Sequence, residues 1–221
     1  MKKTRTLFLT VFTLFGFFSA LTQINGTDTD SCKILLTAIK EIDANKVTQL
    51  LQTTDPNCIC KWDSDPRTPL VLAGRMGNLK IVKRLIASGA DVTFHVKGDE
   101  TPLMAAALND NVALIDHLIQ QGAMINKELS GDGTALLIAA REGNYEVVNH
   151  LIKNGATVNS IVRGDGTALI QAAKNGHKKV AELLLKNGAD PKLKAPGDEN
   201  PMYHALASND KEMVSLLKKY L

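Results

Sequence analysis

Apolar residues recur at helical spacing along most of this chain, in short segments that are separated by glycine. In each segment two adjacent apolar positions are followed by two more about one helical turn later, as expected when one face of a helix is buried. Two of the segments contain Ile81, Val82, Leu85 and Ile86, and Val147, Val148, Leu151 and Ile152. A shorter stretch before each segment carries a small residue, namely Ala73, Ala106, Ala139 and Ala172 in turn. The pattern predicts pairs of short helices, of which the first packs closely against its neighbours.

The predicted helix pairs repeat every 33 residues. This spacing separates four threonines and four glycines, which are Thr68, Thr101, Thr134 and Thr167, and Gly89, Gly122, Gly155 and Gly188. Each threonine, and Asn200 in the last unit, offers a side-chain oxygen as the N-cap of the first helix. We expect a turn at Gly77, Gly143 or Gly176 between the two helices, and a left-handed glycine of the second set after the second helix. Units of this length cannot bury their apolar faces alone, so the sequence predicts a stacked solenoid.

A helix, a turn, a second helix and a turn-rich finger within 33 residues resemble the ankyrin repeat. The similarity extends over residues 33–221 and rests on Thr-Pro-Leu, Gly-Ala-Asp and the turn glycine, which recur in phase. It implies an all-α repeat solenoid of about six units, each a helix-turn-helix with a β-hairpin-like finger, with irregular first and last units. The expected units are 33–66, 67–99, 100–132, 133–165, 166–198 and 199–221.

One position of the motif departs from the family. The histidine that usually follows Thr-Pro-Leu is replaced by Val71, Met104, Leu137, Ile170 and Tyr203. The family uses that imidazole in a hydrogen-bond network. In this chain we therefore predict apolar packing at the five positions.

Residues 1–26 have the features of a secretory signal peptide. The basic residues Lys2, Lys3 and Arg5 precede an uncharged apolar run from Leu7 to Leu21. A run of about 15 residues is short for a membrane span, which needs about 20. Cleavage after Thr22 and cleavage after Gly26 both remain open, and an uncleaved N-terminal anchor is the alternative. We expect a bacterial protein that is periplasmic or secreted.

Charge gives no indication of a nucleic-acid or membrane partner. The chain has 26 Lys plus Arg and 23 Asp plus Glu. Three of the basic residues belong to the leader, so the remainder is balanced. A neutral surface of mixed sign lacks the basic stripe that nucleic acids and anionic membranes require.

The three cysteines fall in the first unit. An exported compartment permits disulfides, and the repeat register places Cys32 just before the first short helix and Cys58 just after the second. Antiparallel helices bring these ends together, so we predict a bridge from Cys32 to Cys58 or to Cys60. The competing interpretation, a Cys-x-Cys metal site, lacks further ligands close in sequence.

No catalytic motif is present, so we expect neither an enzyme nor a cofactor or metal. The sequence has no histidine pair at ligand spacing, no phosphate-binding glycine loop and no Gly-x-Ser-x-Gly. The aspartates Asp99, Asp132, Asp165 and Asp198 recur once per unit. At about 10 Å apart they are too distant to share a cation, and we predict turn aspartates that bind local backbone.

The family resemblance implies a concave groove, lined by the finger tips and the exposed side of the first helices, where partners bind. By register the groove holds Arg75, Met76, Lys97, Glu100, Leu108, Asn109, Ser130, Arg141, Glu142, Arg163, Lys174 and Asn175. Trp62 lies in a finger that is longer by two residues, and it is either a binding hot spot or a cover for the first unit. The groove residues combine arginine, methionine, leucine and both charge signs, a mixture that suits a protein partner. The alternative is a face that is merely solvated.

These observations predict an exported, non-enzymatic protein-binding module that is monomeric when unbound. A rigid groove can cover a cleft, so we expect the module to inhibit or escort an exported enzyme, such as a cell-wall hydrolase in a self-protection arrangement. The alternative is a secreted effector or periplasmic stress-protection factor that engages host proteins or a redox enzyme. The identity of the partner does not follow from the sequence.

Overall fold

In the computed structural model of this chain the described residues form six pairs of helices and one β-hairpin. The structure describes residues 27–62, 65–97, 99–129, 131, 133–195 and 199–221. The expected signal peptide therefore lies outside the described residues. The helices are α1 Thr27–Lys40, α2 Ala44–Leu50, α3 Pro69–Arg75, α4 Leu79–Ala87, α5 Pro102–Ala107, α6 Val112–Gln120, α7 Ala135–Glu142, α8 Tyr145–Lys153, α9 Ala168–Lys174, α10 Lys178–Lys186, α11 Pro201–Ala207 and α12 Lys211–Lys218. None of these helices is long and apolar enough to cross a membrane.

The helices form two layers. The first helices α1, α3, α5, α7, α9 and α11 each pack against the next in an inner layer, and the second helices from α2 to α12 do the same in an outer layer. The buried apolar side chains of all six pairs join in one continuous core. The predicted all-α repeat solenoid is therefore confirmed.

The fingers carry the little strand structure that the described residues contain. Strand β1 Cys60–Trp62 pairs antiparallel with β2 Asp65–Arg67, with Cys60 opposite Arg67. The two central fingers have a single bridge each, Leu129 to Gly133 and Val162 to Gly166. The first finger, which the sequence predicted to be longer, is thus the one that forms a hairpin.

Local capping chemistry starts the first helices as predicted. Each cap oxygen accepts the backbone N–H three residues later, at 3.2 Å for Thr101, Thr134 and Thr167 and at 2.8 Å for Asn200. Thr68 makes the same bond at 3.3 Å. An N-cap of this kind contributes about 1 kcal/mol to a helix, which matters for helices of two turns.

The turn between the two helices of a unit uses the left-handed conformation. The φ angles are 67° at Gly77, 80° at Gly143 and 73° at Gly176. The equivalent turns of the terminal units are held by Ile42 at 58° and Asn209 at 56°, the two non-glycine residues with positive φ among those described. The irregularity expected of terminal units is therefore visible in the backbone.

Gly143 and Gly176 offer a matched test of a close contact. A Cβ on Gly143 would lie 2.6 Å from His177 Nδ1, whereas a Cβ on Gly176 meets no atom within 4 Å. Gly176→Ala should lower the free energy of unfolding by about 1 kcal/mol, because alanine disfavours the left-handed backbone. Gly143→Ala should lower it by about 1 kcal/mol more, because the His177 side chain must also move. Urea unfolding of both variants measures the difference. Equal losses would show that the His177 contact is unimportant.

Four of the five positions that replace the family histidine are buried. Val71, Met104, Leu137 and Ile170 are at most 2% exposed, which confirms apolar packing there. Tyr203 is 53% exposed, so the prediction is wrong at that position. The reason is that no further described unit stacks on α11.

A disulfide joins Cys32 to Cys58, with a Cα–Cα distance of 5.9 Å. Cys60 is a buried free thiol whose pKa is raised by burial and lowered to a smaller extent by Lys33. One of the two predicted pairings is therefore the one formed. The expectation that Cys32 precedes the first helix is wrong, because α1 begins at Thr27, ahead of the expected boundary at residue 33. No proline or glycine interrupts α1, and an acidic residue such as Asp30 is favourable near a helix N-terminus.

Candidate binding surface

One face of the solenoid is crossed by repeat-equivalent residues at the C-terminal ends of the first helices. We call this set the inner row, and it consists of Lys40, Arg75, Leu108, Arg141, Lys174 and Ala207. Packed helices lie about 8 to 10 Å apart. Because the first helices stack in order, successive members of the inner row are separated by about that distance across the face.

The inner row varies in chemistry, whereas the positions beside it do not. The residues two positions earlier, Ala73, Ala106, Ala139 and Ala172, are identical and fully buried between stacked helices. In the inner row of the same four units the residues are arginine, leucine, arginine and lysine, all at least partly exposed. Stacking therefore fixes the buried position, and the exposed position differs from unit to unit.

Glu100 is placed differently from the sequence-based expectation. It was expected on the exposed face, but it is only 6% exposed and lies against Arg75 of the preceding unit. Arg75 Nε donates to Glu100 Oε1 at 2.8 Å, and Arg75 Nη2 contacts the same oxygen. Burial raises the pKa of Glu100, and the Arg75 charge opposes this rise. The surface therefore presents the guanidinium and not the carboxylate.

Asp99 forms a second buried pair beside the first. Its Oδ1 lies 3.8 Å from Arg67 Nε, with the aspartate side chain 3% and the arginine side chain 14% exposed. Burial raises the pKa of Asp99, while Arg67 and the backbone N–H groups of Glu100 and Thr68 lower it. For Asp99 the prediction of a turn aspartate that binds local backbone misses the ion pair with Arg67, and Asp99 Oδ2 has no hydrogen-bond partner among the described residues. Asp132 and Asp198 lie outside the described residues.

Polar side chains tie the end of a first helix to the following unit. Asn109 Nδ2 donates to the carbonyl oxygens of Gly74 and Arg75, at 3.1 Å each. Asn144 Nδ2 donates to the Ala107 carbonyl at 2.9 Å. Asn109 was expected from the sequence to bind the partner, yet its amide is used inside the solenoid.

His177 makes the same kind of bond one unit further along. Its Nε2 lies 2.9 Å from the Arg141 carbonyl oxygen, so the ring donates this bond when Nε2 carries the proton. This role of His177 was not predicted from the sequence. Its position, directly after the turn glycine Gly176, was the available signal.

The remaining candidate residues are found at the surface. Met76 is 37% exposed, and Lys97, Glu142, Arg163, Lys174 and Asn175 are exposed, while Leu108 is partly buried. Arg141 Nε lies 3.3 Å from Oε1 of its chain neighbour Glu142. Trp62 ends strand β1, but its side chain lies outside the described residues, as does Ser130.

The outer layer contains a histidine, His117, whose pKa is lowered by its surroundings. His117 Nε2 is buried without a hydrogen-bond partner among the described residues. Burial lowers the pKa of His117, Lys83 lowers it further, and Asp116 opposes them. Below the ordinary histidine pKa of about 6.5 the unfolded chain binds this proton more tightly than the folded chain. The free energy of unfolding therefore falls as the pH drops through this range.

His117→Leu should reduce that pH dependence, since Leu183 occupies the equivalent position two units later and packs against the core. We expect the variant to lose less stability than the wild type between pH about 7 and about 5. Urea unfolding at several pH values measures this. A pH profile parallel to that of the wild type would mean that His117 does not contribute.

Comparison with known families agrees with the geometry from the second unit onward. A family model described as "Ankyrin repeats (3 copies)" matches residues 94–162 and 136–220. A second model, described as "Ankyrin repeat", matches residues 67–95. No curated protein matches the chain.

Proposed function

The chain belongs to the ankyrin-repeat family, and from this premise we propose that it is an exported protein-binding module that inhibits or escorts an exported enzyme. Proteins of this family are generally interaction modules and not enzymes. The partner class and the compartment are our proposal, and each rests on its own observation.

The inner row is the single observation that carries the binding assignment. A residue needed only for stacking would resemble its equivalents, as the four buried alanines do. Residues such as Arg75 and Leu108 differ at equivalent positions while remaining accessible. Arginine and large apolar side chains are also the types that dominate protein interfaces.

The form of the surface supports an enzyme partner. The inner row together with Met76, which we call the inner face, runs across the stacked first helices, and interfaces of standard size bury about 800 Å² per partner. A face of this kind can cover an active-site cleft without any chemistry of its own.

Export is supported by two features. The basic and apolar leader at residues 1–26 has the pattern of a signal peptide. The disulfide between Cys32 and Cys58 belongs to the oxidising compartments that such a leader serves.

Alanine substitution separates the two faces of the solenoid. We expect Met76→Ala, Leu108→Ala and Arg141→Ala each to weaken partner binding by about 2 kcal/mol, as at interface hot spots. The matched variants Lys83→Ala and Asn149→Ala, on the outer layer, should leave the affinity unchanged. Calorimetric titration with the partner measures both sets. Loss of affinity in the outer set alone would reject this assignment of the binding face.

The partner is identified by affinity capture from the native exported fraction. The wild-type protein is compared with a triple variant that combines Met76→Ala, Leu108→Ala and Arg141→Ala. The enzymatic activity of a protein that only the wild type retains is then measured with and without an equimolar amount of the module. Inhibition or increased recovery of an exported enzyme supports the proposal. Specific capture of a host protein would instead favour a secreted effector.

A further inference from the structure

We infer that Arg141 is the site at which an acidic segment of the protein partner places a carboxylate on the inner face. The inference rests on the proposed binding function and adds the chemistry of the partner. It follows from comparing equivalent positions within this one chain.

The pair of Arg75 and Glu100 is the internal template. Arg75 belongs to the inner row, and Glu100 comes from the start of the next unit. Two units later the arginine recurs as Arg141, but the residue equivalent to Glu100 is Gly166. The arginine is thus retained in a unit that has lost its internal carboxylate.

The chain cannot supply a carboxylate from position 166. Gly166 has a φ of 77°, and a Cβ there would lie 2.8 Å from Ile170 Cδ1 and 3.1 Å from Ala195 Cβ. A side chain at this position would therefore be strained by the backbone and would force the Ile170 side chain to shift. Position 166 therefore gives Arg141 no counterpart of Glu100, and a partner molecule can supply that carboxylate.

Arg141 has one weak internal partner among the described residues. Its pair with Glu142 spans 3.3 Å, and the two side chains are 35% and 41% exposed. Adjacent residues of a helix do not face each other, and exposed pairs contribute little in water. The remaining guanidinium donors are available for the bidentate geometry that arginine forms with carboxylates.

Two other members of the inner row, Leu108 and Lys174, show the complementary pattern. Leu108 is uncharged, and the next unit accordingly has Gly133 at the carboxylate position. Lys174 is followed by Glu199, which lies 3.2 Å from His204. Within the units from Thr68 to Glu199, Arg141 is therefore the inner-row cation that has no acidic residue at the position equivalent to Glu100.

The surroundings of Arg141 favour an acidic partner segment that also carries an apolar residue. Arg163 in the same unit and Lys174 in the next are exposed cations, and the acids of this region are exposed Glu142 and half-buried Asp165. Leu108, in the preceding unit, offers apolar surface. Long-range attraction of a negatively charged segment is expected to follow this local excess of cations.

Fluorescence anisotropy with a labelled peptide tests the inference directly. The probe is a peptide of about ten residues that alternates glutamate with leucine, and its control has glutamine in place of glutamate. The protein is the mature oxidised chain. We expect the glutamate peptide to bind more tightly than the glutamine peptide, and the difference to shrink as NaCl rises from about 0.05 to about 0.5 M.

Variants assign the effect to one residue. Arg141→Gln should weaken glutamate-peptide binding about fivefold, whereas the outer-layer control Lys83→Gln should not. Glu100→Gln should strengthen binding, because it frees the Arg75 guanidinium from its internal carboxylate. Circular dichroism confirms that each variant remains folded.

Three results would overturn the inference. The first is an equal affinity for the glutamate and the glutamine peptide. The second is an equal affinity of Arg141→Gln and Lys83→Gln for the glutamate peptide. The third is a higher affinity for a single-stranded oligonucleotide than for the glutamate peptide. If the peptide result fails while the native partner still depends on Met76 and Leu108, the acidic-partner inference is rejected and the proposed function stands.

Discussion

Replacing Cys32 and Cys58 together by alanine is expected to lower the free energy of unfolding of the first unit by about 3 kcal/mol. The bridge closes a loop over a sequence separation of 26 residues, and the loop-entropy model gives about this value for such a closure. The first unit also lies outside the residues that the family models match. Both bridged cysteines lie in or next to the first helix pair, so the loss is expected there first.

Coupling in a solenoid runs between neighbouring units, so the loss should remain local. Hydrogen exchange should increase strongly in α1 and α2, weakly in α3, and not at all in α7 and α9. The control Cys60→Ala removes a buried thiol but keeps the bridge, and should cost less. Uniform loosening of all units would contradict a local role for the disulfide.

Replacing Arg75 by alanine is expected to lower the free energy of unfolding by about 3 kcal/mol. The change leaves the carboxylate of Glu100, which is 6% exposed, without its cation. The cost lies at the low end for a buried pair because the Arg75 side chain is 43% exposed. Arg141→Ala is the matched control, since its following unit carries Gly166, and it should change stability by at most about 0.5 kcal/mol. Urea unfolding of the two variants would contradict the account if their losses were equal.

The pH dependence gives this prediction a second readout. Burial already raises the pKa of Glu100, and removing the Arg75 charge should raise it further. The folded variant then binds a proton that the unfolded chain releases, so its free energy of unfolding increases as the pH falls. The difference in the free energy of unfolding between Arg75→Ala and the wild type should become smaller toward pH about 5. The double variant Arg75→Ala, Glu100→Gln should recover much of the loss at neutral pH.

The architecture could be predicted because its determinants are local and repeated. The N-cap threonines, exemplified by Thr101, and the left-handed glycines, exemplified by Gly143, act within a few residues of their position. Each recurs at a fixed interval, so every unit provides an independent indication of the same structure. Tyr203 departs from this regularity because the described chain contains no further unit that packs over it, whereas the equivalent residues of earlier units are covered by the next unit.

The details of the binding surface could not be predicted because they depend on contacts between units. Glu100 and Arg75 are separated by 25 residues, and nothing in the local sequence shows that one covers the other. The amide of Asn109 likewise bonds to carbonyl groups of the preceding unit. Cys58 and Cys60 differ by two positions, and repeat register alone could not decide which of them reaches Cys32.

The most direct test of the central claim, that the inner face binds the partner, is site-specific photo-crosslinking in the native compartment. A benzophenone amino acid replaces Leu108 on the inner face or Asn149 on the outer layer, and crosslinked products are identified by mass spectrometry. We predict a discrete crosslinked partner from Leu108 and none from Asn149. A partner crosslinked from Asn149 and not from Leu108 would contradict the claim.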